Sequence, residues 1–390
     1  MGALSHLRIL DLSRVLAGPW AGQLLGDLGA EVVKVERPGT GDDTRHWGPP
    51  FVTDPTGRTK GDAAYFLAAN RNKASVTADI TSPEGQRLVR ALAMESDVVI
   101  ENYKVGGLAA YGLDASSLRA LNPRLVYCSV TGFGQTGPYA SRAGYDVLIQ
   151  AMGGLMSITG GREGEPGAGP QKVGVALVDI MTGLYATVGI LAALAHRDRT
   201  GEGQIIDIAL LDVSVAALAN QAMNYLVSGV SPQRMGNAHP NIVPYQDFPT
   251  ADGAMIVAVG NDAQFARAWG ALGLAPDATL ATNAGRIARR ADVILAITAR
   301  TLTQPTAHWV AELEAVGVPC GPINTIADVF ADPQIVAREM RRDLDHPLAG
   351  SVPTVANPLH LSATPVTYRT APPVLGADDA RILARLKEMP

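Results

Sequence analysis

The sequence predicts an α/β protein built on a parallel sheet, and three observations carry that expectation. Short apolar runs alternate with amphipathic stretches along the N-terminal third, the pattern of repeated strand–helix–strand units. The chain has 390 residues, 47% hydrophobic and 18% charged, which suits a globular protein of two or three domains and excludes disorder. Glycine reaches 41 residues, above an ordinary share of ~7%, so tight turns and close backbone approaches recur.

The elements follow in order. LRILDL (7–12) reads as a buried strand, WAGQLLGDLGA (20–30) as a helix ending at glycine, and EVVKVER (31–37) as the next strand. ASVTADI (74–80) is another strand, after which Ser82 caps a helix opened by Pro83, because a serine oxygen accepts free N–H groups and proline fits the first helical position. DVVIEN (97–102) and RLVYCSVTGF (124–133) complete the strand series. Residues 134–145 and 157–172 are loops, the second rich in Gly and Pro, and long loops of that kind carry function or act as lids. Helices near 181–197 and 209–228 flank a short strand in GEGQIIDIAL. Residues 231–250 read as a Pro/Gly-rich break, beyond which AMIVAVG, helices and PCGPINTI suggest a smaller α/β unit.

Charge and cysteine content exclude several classes. The net charge is -5, from 32 basic and 37 acidic residues, with no long basic run, so no nucleic-acid partner is expected. The two cysteines, Cys128 and Cys320, stand far apart in apolar contexts and read as buried thiols of a reducing, cytoplasmic protein. The N-terminus lacks the charged and apolar regions of a secretory signal. Val173 to Ala195 carries one ionised residue, Asp179. A membrane helix is not expected there, because the helical period begins only after Met181 and the remainder is too short for ~30 Å of hydrocarbon.

The first strand–helix–strand unit ends in Glu36, as a dinucleotide site would, but its glycines, Gly18, Gly22 and Gly26, are spaced GxxxGxxxG. Cradling a pyrophosphate takes GxGxxG; the observed spacing fits close helix packing instead. Arg37, the cluster Asn70 to Lys73, and Asn102 to Lys104 form three cation-bearing turns at strand ends, which together suggest a nucleotide-like anion along the sheet edge. Asp179 stands in an apolar stretch before a helix. Two roles fit it: a cap for free backbone N–H groups, or a nucleophilic carboxylate kept ionised by those groups. The seven histidines do not cluster, and no GxSxG elbow or phosphate loop occurs, so no metal site is expected. His239 fits either a plain turn or a substrate loop.

LRILDLSRVLAGPWAGQLLGDLGAEVVKVERPGTGDDTR, NRNKASVTADI, DVVIENYKVGGL, NPRLVYCSVTGFGQTGPY, GYDVLIQAMGGLMSITG, VALVDIMTGLYATVGILAAL, GNAHPNIVPYQDF and GVPCGPINTIADVFADPQ occur in this order across nearly the whole chain. In them the chain resembles the class III CoA-transferases, the formyl-CoA and carnitine CoA-transferase type. The resemblance implies a Rossmann-like large domain over 1–200, linker helices over 201–230, a small α/β domain over 231–330, and a C-terminal segment, 331–390, that returns to the large domain. It implies two chains interlocked as a homodimer. It makes Asp179 the nucleophile. It gives CoA contacts to Val15, Leu16, Arg37, Asn72, Lys73, Ala74, Ser75, Asn102, Tyr103, Lys104, Tyr145 and Asp146. Trp47, Gly236, Asn237 and His239 fall to the acyl or acceptor side.

The departures have consequences. The oxalate-using branch carries Gln where this chain has Leu16 and a glycine tetrad where it has His239 and Pro240, which points away from formyl-CoA and oxalate; it also carries Arg where this chain has Ala110, so one expected contact to a CoA phosphate is missing. The related racemases carry His where this chain has Tyr145. The expected activity is therefore transfer of CoA from an acyl-CoA to a small, dicarboxylic acid through an aspartyl acyl-enzyme and an aspartyl-CoA thioester. CoA thioesters serve as co-substrates, with no tightly bound cofactor and no membrane partner. The alternative is an acyl-CoA epimerase or racemase on the same fold.

Overall fold

The computed structural model describes residues 2–57 and 60–388. The chain forms two compact units. The first contains the chain up to Met156, Lys172–Val230 and everything from Val336 onward; the second contains Ser157–Gln171 and Ser231–Ile335. Residues 157–171, set by the sequence within the first segment, go with the second unit, and so do 331–335.

The first unit is built on a six-stranded sheet: β1 (Arg8–Asp11), β2 (Glu31–Glu36), β3 (Lys73–Thr77), β4 (Val98–Glu101), β5 (Val126–Thr131) and β6 (Ile205–Ala209). All neighbours pair parallel, in the order β3-β2-β1-β4-β5-β6, a Rossmann-like order that reverses between β1 and β4. The strands read as continuous apolar runs because helices cover both faces. On one face Ile9, Val98, Ile100 and Val126 join Ala21 and Leu25 of α1 (Ala17–Asp27) and Ala186, Ile190 and Ala193 of a long helix, Leu177–Thr200. On the other, Leu10, Val33, Val76 and Val99 join Val89 and Leu92 of α2 (Pro83–Glu95). Ser82 accepts the Gly85 N–H at 3.0 Å and so opens α2 as its sequence predicts.

Two further helices matter for the site: α3 (Asp146–Met152) and α4 (Leu177–Thr200). The sequence placed the start of α4 after Met181; the helix begins at Leu177, so Asp179 lies inside its first turn rather than before it. With 24 residues α4 is long and apolar enough to cross a membrane by length and composition. In this fold it is a core helix laid on the sheet. Gly183 allows its close approach to α1: a Cβ there would stand 2.8 Å from the Ala17 carbonyl oxygen. The apolar stretch 209–228 is two helices, α5 (Leu210–Ala217) and α6 (Ala219–Ser228), broken where Ala219 adopts φ +43°.

The second unit holds an antiparallel sheet of β7 (Tyr245–Pro249), β8 (Ala254–Ala258) and β9 (Cys320–Pro322), with β8 central. β7 falls in the stretch read as a break; as an edge strand it tolerates prolines around it. Helices α7 (Asp262–Ala271), α8 (Arg290–Thr301) and α9 (Thr306–Ala315) bury Phe265, Val293, Ile297, Trp309 and Leu313 against Phe248, Met255 and Val257.

The C-terminal chain belongs to the first unit. It forms a hairpin, β10 (Arg341–His346) and β11 (Gly350–Val355), and ends in α10 (Asp379–Lys387). Side-chain hydrogen bonds and isolated backbone ones, such as the Asp378 N–H to the Ser75 carbonyl at 3.0 Å, attach it beside edge strand β3 without a ladder. Asn72 Oδ1 accepts the Arg369 N–H at 2.7 Å, Asn357 donates to Asp27 at 3.0 Å, and Asp379 accepts the Thr77 N–H at 2.7 Å. Covering β3 in this way removes an exposed sheet edge.

Candidate active site

The order reversal between β1 and β4 opens a crevice at the carboxyl ends of these strands, where sheets of this kind bind ligands. β1 leads into the turn Ser13 to Leu16. Val15 there has φ +72°, a left-handed conformation that costs a β-branched residue ~1–3 kcal/mol and persists only where its surroundings enforce it. They do. The Val15 N–H donates to the Asp42 carboxylate at 3.3 Å, the Arg14 N–H donates to Asn102 Oδ1 at 2.8 Å, and Asn102 Nδ2 donates back to the Arg14 carbonyl at 2.6 Å. Buried Lys34 ties the pieces together, its Nζ 2.9 Å from Asp42 and 2.7 Å from the Ser13 carbonyl. Burial pushes the Asp42 carboxyl up, but the Lys34 ammonium and the Thr44 N–H outweigh it and hold it at about 2. Asn102 thus holds the turn and also lines the cavity beside it.

Asp179 stands opposite, on the first turn of α4. That helix has no side-chain cap of its own at Ala176. Asp146, at the start of α3, supplies one from 33 residues away: its Oδ1 accepts the Val178 N–H at 2.9 Å and the Asp179 N–H at 3.3 Å. Its Oδ2 accepts from Gln150 Nε2 at 2.6 Å, and Gln150 Oε1 in turn accepts the Val173 N–H at 2.9 Å. Asp146, expected as a CoA contact, is therefore bound to the helix start. The Asp179 carboxyl is buried beside a second acid. Burial, then the Asp146 charge, raises it to about 7. Tyr65, which the sequence analysis did not single out, lies in the same field: burial and the charges of Asp179 and Asp146 push its phenol up. Trp47 packs edge-on against it, ring centroids 5.3 Å apart. No periodicity marks Tyr65 in AAYFLAA.

Two cavities meet here. The inner one, about 200 Å³, is lined by Arg14 to Ala17, Asn102 to Val105, Arg142 to Tyr145, and Asp179. The outer one, about 370 Å³, is lined by Lys34 to Arg37, Ala78 to Thr81, Tyr103, Lys104 and Tyr111. They share Arg14, Tyr103 and Lys104, so the two adjoin and together line the path an extended ligand would take between Asp179 and Arg37. Val15, Leu16, Arg37, Asn102, Tyr103, Lys104 and Tyr145 all line this path.

Asn72, Lys73, Ala74 and Ser75 do not. They begin β3, at the amino end of a parallel strand, whereas the path runs along the carboxyl ends. Lys73 Nζ is buried against Asp11 at 2.8 Å, Asn72 holds the C-terminal chain, and Ser75 Oγ donates to Glu36 at 2.7 Å. Ala74 lines a separate cavity under the C-terminal chain with Asn72 and Lys73. The residues of this segment that line the path are Ala78 to Thr81, beyond the strand's other end.

Gly236, Asn237 and His239 lie in the second unit. Gly236 takes φ +61° in a turn with Asn237. His239 donates its N–H to the Tyr245 carbonyl at 2.9 Å, and its ring lies tilted against the Tyr245 ring with centroids 5.3 Å apart. Arg290 holds the loop by donating to the His239 and Pro240 carbonyls at 3.0 Å.

The chain matches the family model described as CoA-transferase family III over residues 4–379. It is 54% identical to a succinate–glutarate CoA-transferase of Agrobacterium fabrum, over 98% of this chain and 96% of that protein. It is 43% identical to the succinyl-CoA:glutarate CoA-transferase of Mus musculus, over 98% of this chain and 86% of that one. Among solved structures, a CAIB/BAIF family protein from Brucella suis superposes with a TM-score of 0.87 at 52% identity, covering 99% of both chains.

The raised Asp179 carboxyl has a consequence for stability. Its folded value, about 7, lies above the ordinary 3.8. Between those values the unfolded chain has released the proton and the folded one retains it, so stability falls as pH rises through that window and is flat above it. Asp179→Asn escapes the loss. Its gain over wild type should reach on the order of 2 kcal/mol at pH 8 and be smaller at pH 4.5. Thermal unfolding at both pH values checks this; a difference that does not grow with pH contradicts it.

Proposed function

The chain belongs to CoA-transferase family III, and from that premise we propose that it exchanges CoA between small dicarboxylic acids of the succinate and glutarate type, with Asp179 as the nucleophile. The relatives named for succinate and glutarate support the substrate class. The observation that carries the mechanism is a buried carboxylate at a helix start, opening on a cavity that joins a cation-lined groove.

The chemistry follows. The Asp179 carboxylate attacks the thioester carbonyl of the donor acyl-CoA; the C–S bond breaks, CoA leaves as thiolate, and a mixed anhydride forms. The thiolate attacks the aspartyl carbonyl, freeing the donor acid and leaving an aspartyl-CoA thioester. The acceptor carboxylate attacks that thioester and expels the thiolate, which then attacks the acceptor's own acyl carbon. Acceptor acyl-CoA leaves and Asp179 is a carboxylate again. Carboxylate and thiolate complete the cycle, so CoA enters as a co-substrate and no resident cofactor is required. The N-terminal N–H groups of α1, beside Val15 and Leu16, have no partner within the helix and are available to the oxyanions. Arg37 and Lys104 receive the phosphate end of CoA along the outer cavity. Trp47 and Tyr65 bound the acyl side. The epimerase alternative needs a base able to take an α-proton, and this chain has Tyr145 at the position where the related racemases carry His. The cytoplasm suits a CoA thiol and the free Cys128 and Cys320.

The same reading assigns the chain a second copy of itself. Leu184, Val188, Val215, Met223, Leu226 and Val227 on α4, α5 and α6 are exposed, Val227 by 80%, an apolar face larger than scattered surface residues provide. A second chain interlocked over it would cover them.

Asp179→Ala should lower kcat by roughly 10³-fold or more, with CoA binding kept within a few-fold. Wild-type protein given succinyl-CoA and hydroxylamine should yield a hydroxamate at Asp179. Near-normal turnover of the variant would refute the mechanism. Arg37→Ala should raise the KM for succinyl-CoA about tenfold and the KM for its dephospho analogue much less; equal penalties would remove the 3′-phosphate contact. Light scattering across a dilution series should find two chains down to nanomolar concentration, with activity unchanged. An active monomer would sink the interlocked reading and leave the chemistry standing.

A further inference from the structure

Three cations line the inner cavity: Arg14, Lys104 and Arg142. Arg14 and Lys104 also line the outer cavity, on the way to Arg37. Arg142 belongs to the Asp179 side alone. Arg14 is further engaged, its Nη1 3.5 Å from the Asp43 carboxylate and its guanidinium 5.2 Å from the Tyr103 ring centre.

Arg142 has no acidic partner among the described residues. Its guanidinium lies 4.6 Å from the Tyr139 ring centre and 5.1 Å from that of Phe133, and Nη2 is 3.8 Å from Met152 Sδ. This contrasts with Arg45, Arg71 and Arg197 of the same unit, each within 2.7 Å of a carboxylate oxygen. Aromatic rings beside a guanidinium attract its charge through their π-faces and leave its N–H groups for a ligand.

We propose that Arg142 binds the far carboxylate of the acid substrate and thereby makes the enzyme select dicarboxylates. The inference rests on the dicarboxylate reading above and names the residue behind it. One carboxyl of a diacid is consumed at Asp179 as anhydride or thioester; the other stays ionised throughout. In a cavity that already holds Asp179 beside Asp146, a further carboxylate is repelled unless a cation receives it. A guanidinium does so with two parallel hydrogen bonds. A monocarboxylic acid has no second carboxylate and gains nothing from Arg142.

The test compares wild type, Arg142→Gln and Arg142→Lys with succinyl-CoA as donor and either glutarate or butyrate as acceptor. In Arg142→Gln the KM for glutarate should rise ~30-fold, and the preference for glutarate over butyrate in kcat/KM should fall at least about tenfold. Inhibition by free CoA should stay within about twofold. Arg142→Lys should fall between, keeping the charge and losing the fork. An unchanged glutarate preference in Arg142→Gln overturns the assignment. So does an equal weakening of free-CoA inhibition, which would make Arg142 a CoA contact. Wild type that serves butyrate and not glutarate would overturn the dicarboxylate reading itself, and this inference with it.

Discussion

The carboxylate of Asp146 accepts the backbone N–H groups of Val178 and Asp179, and the position of the Asp179 carboxylate, the proposed nucleophile, depends on that contact. The N-cap residue of α4 is Ala176, which has no side-chain acceptor to close the helix start. A cap from α3 lets the helix begin within an apolar segment, so Asp179 is fixed in a first turn instead of hanging in a loop. Gln150 extends the arrangement by holding both Asp146 and the chain at Val173. The geometry has an electrostatic cost. Two acids sit close together in a buried place, and Asp179 holds its proton up to about pH 7. A carboxylate of raised basicity is a stronger nucleophile once ionised, so in the proposed role burial and a like charge would serve reactivity at the expense of stability.

The facing wall is held by a different device. Lys34 and Asp42 form a fully buried ion pair, and beside them Lys73 pairs with Asp11. Removing such charges from water costs about as much as their attraction returns, so these pairs are poor evidence of stability. Their effect is positional. Lys34 and Asp42 bind the turn at Ser13 to Val15 from below, Asn102 binds it from β4, and the turn keeps a left-handed valine that an unsupported loop would relax. Two rigid walls thus meet at the switch point of the sheet: one carries the carboxylate, and the other carries the start of α1.

The parallel sheet was legible because strands buried on both faces leave short apolar runs, and Ser82-Pro83 marks a helix start by local chemistry alone. Asp179 was legible as an ionisable group among apolar residues. Its true setting was not, because the capping partner is 33 residues away and no local pattern encodes it. For the same reason α4 was read as starting too late. The segment after Asn70 shows a limit of local reading: its cations and amides precede β3, and only the parallel topology reveals that Ala78 to Thr81, at the other end, line the outer cavity. β7 was hidden among prolines that an edge strand accepts. The hairpin β10–β11 and Tyr65 acquire their roles from long-range contacts alone.

The central claim is that the acyl group passes through Asp179, and oxygen isotope transfer tests it most directly. If glutarate labelled with 18O in its carboxylates accepts CoA by way of an anhydride with Asp179, one labelled oxygen must stay on the aspartyl group when the thiolate cleaves the anhydride. Mass spectrometry of the peptide spanning Asp179, after turnover with succinyl-CoA in ordinary water, should show the label in that residue. Turnover with an unlabelled Asp179 would mean that the acids exchange CoA without an aspartyl intermediate, and would contradict the account.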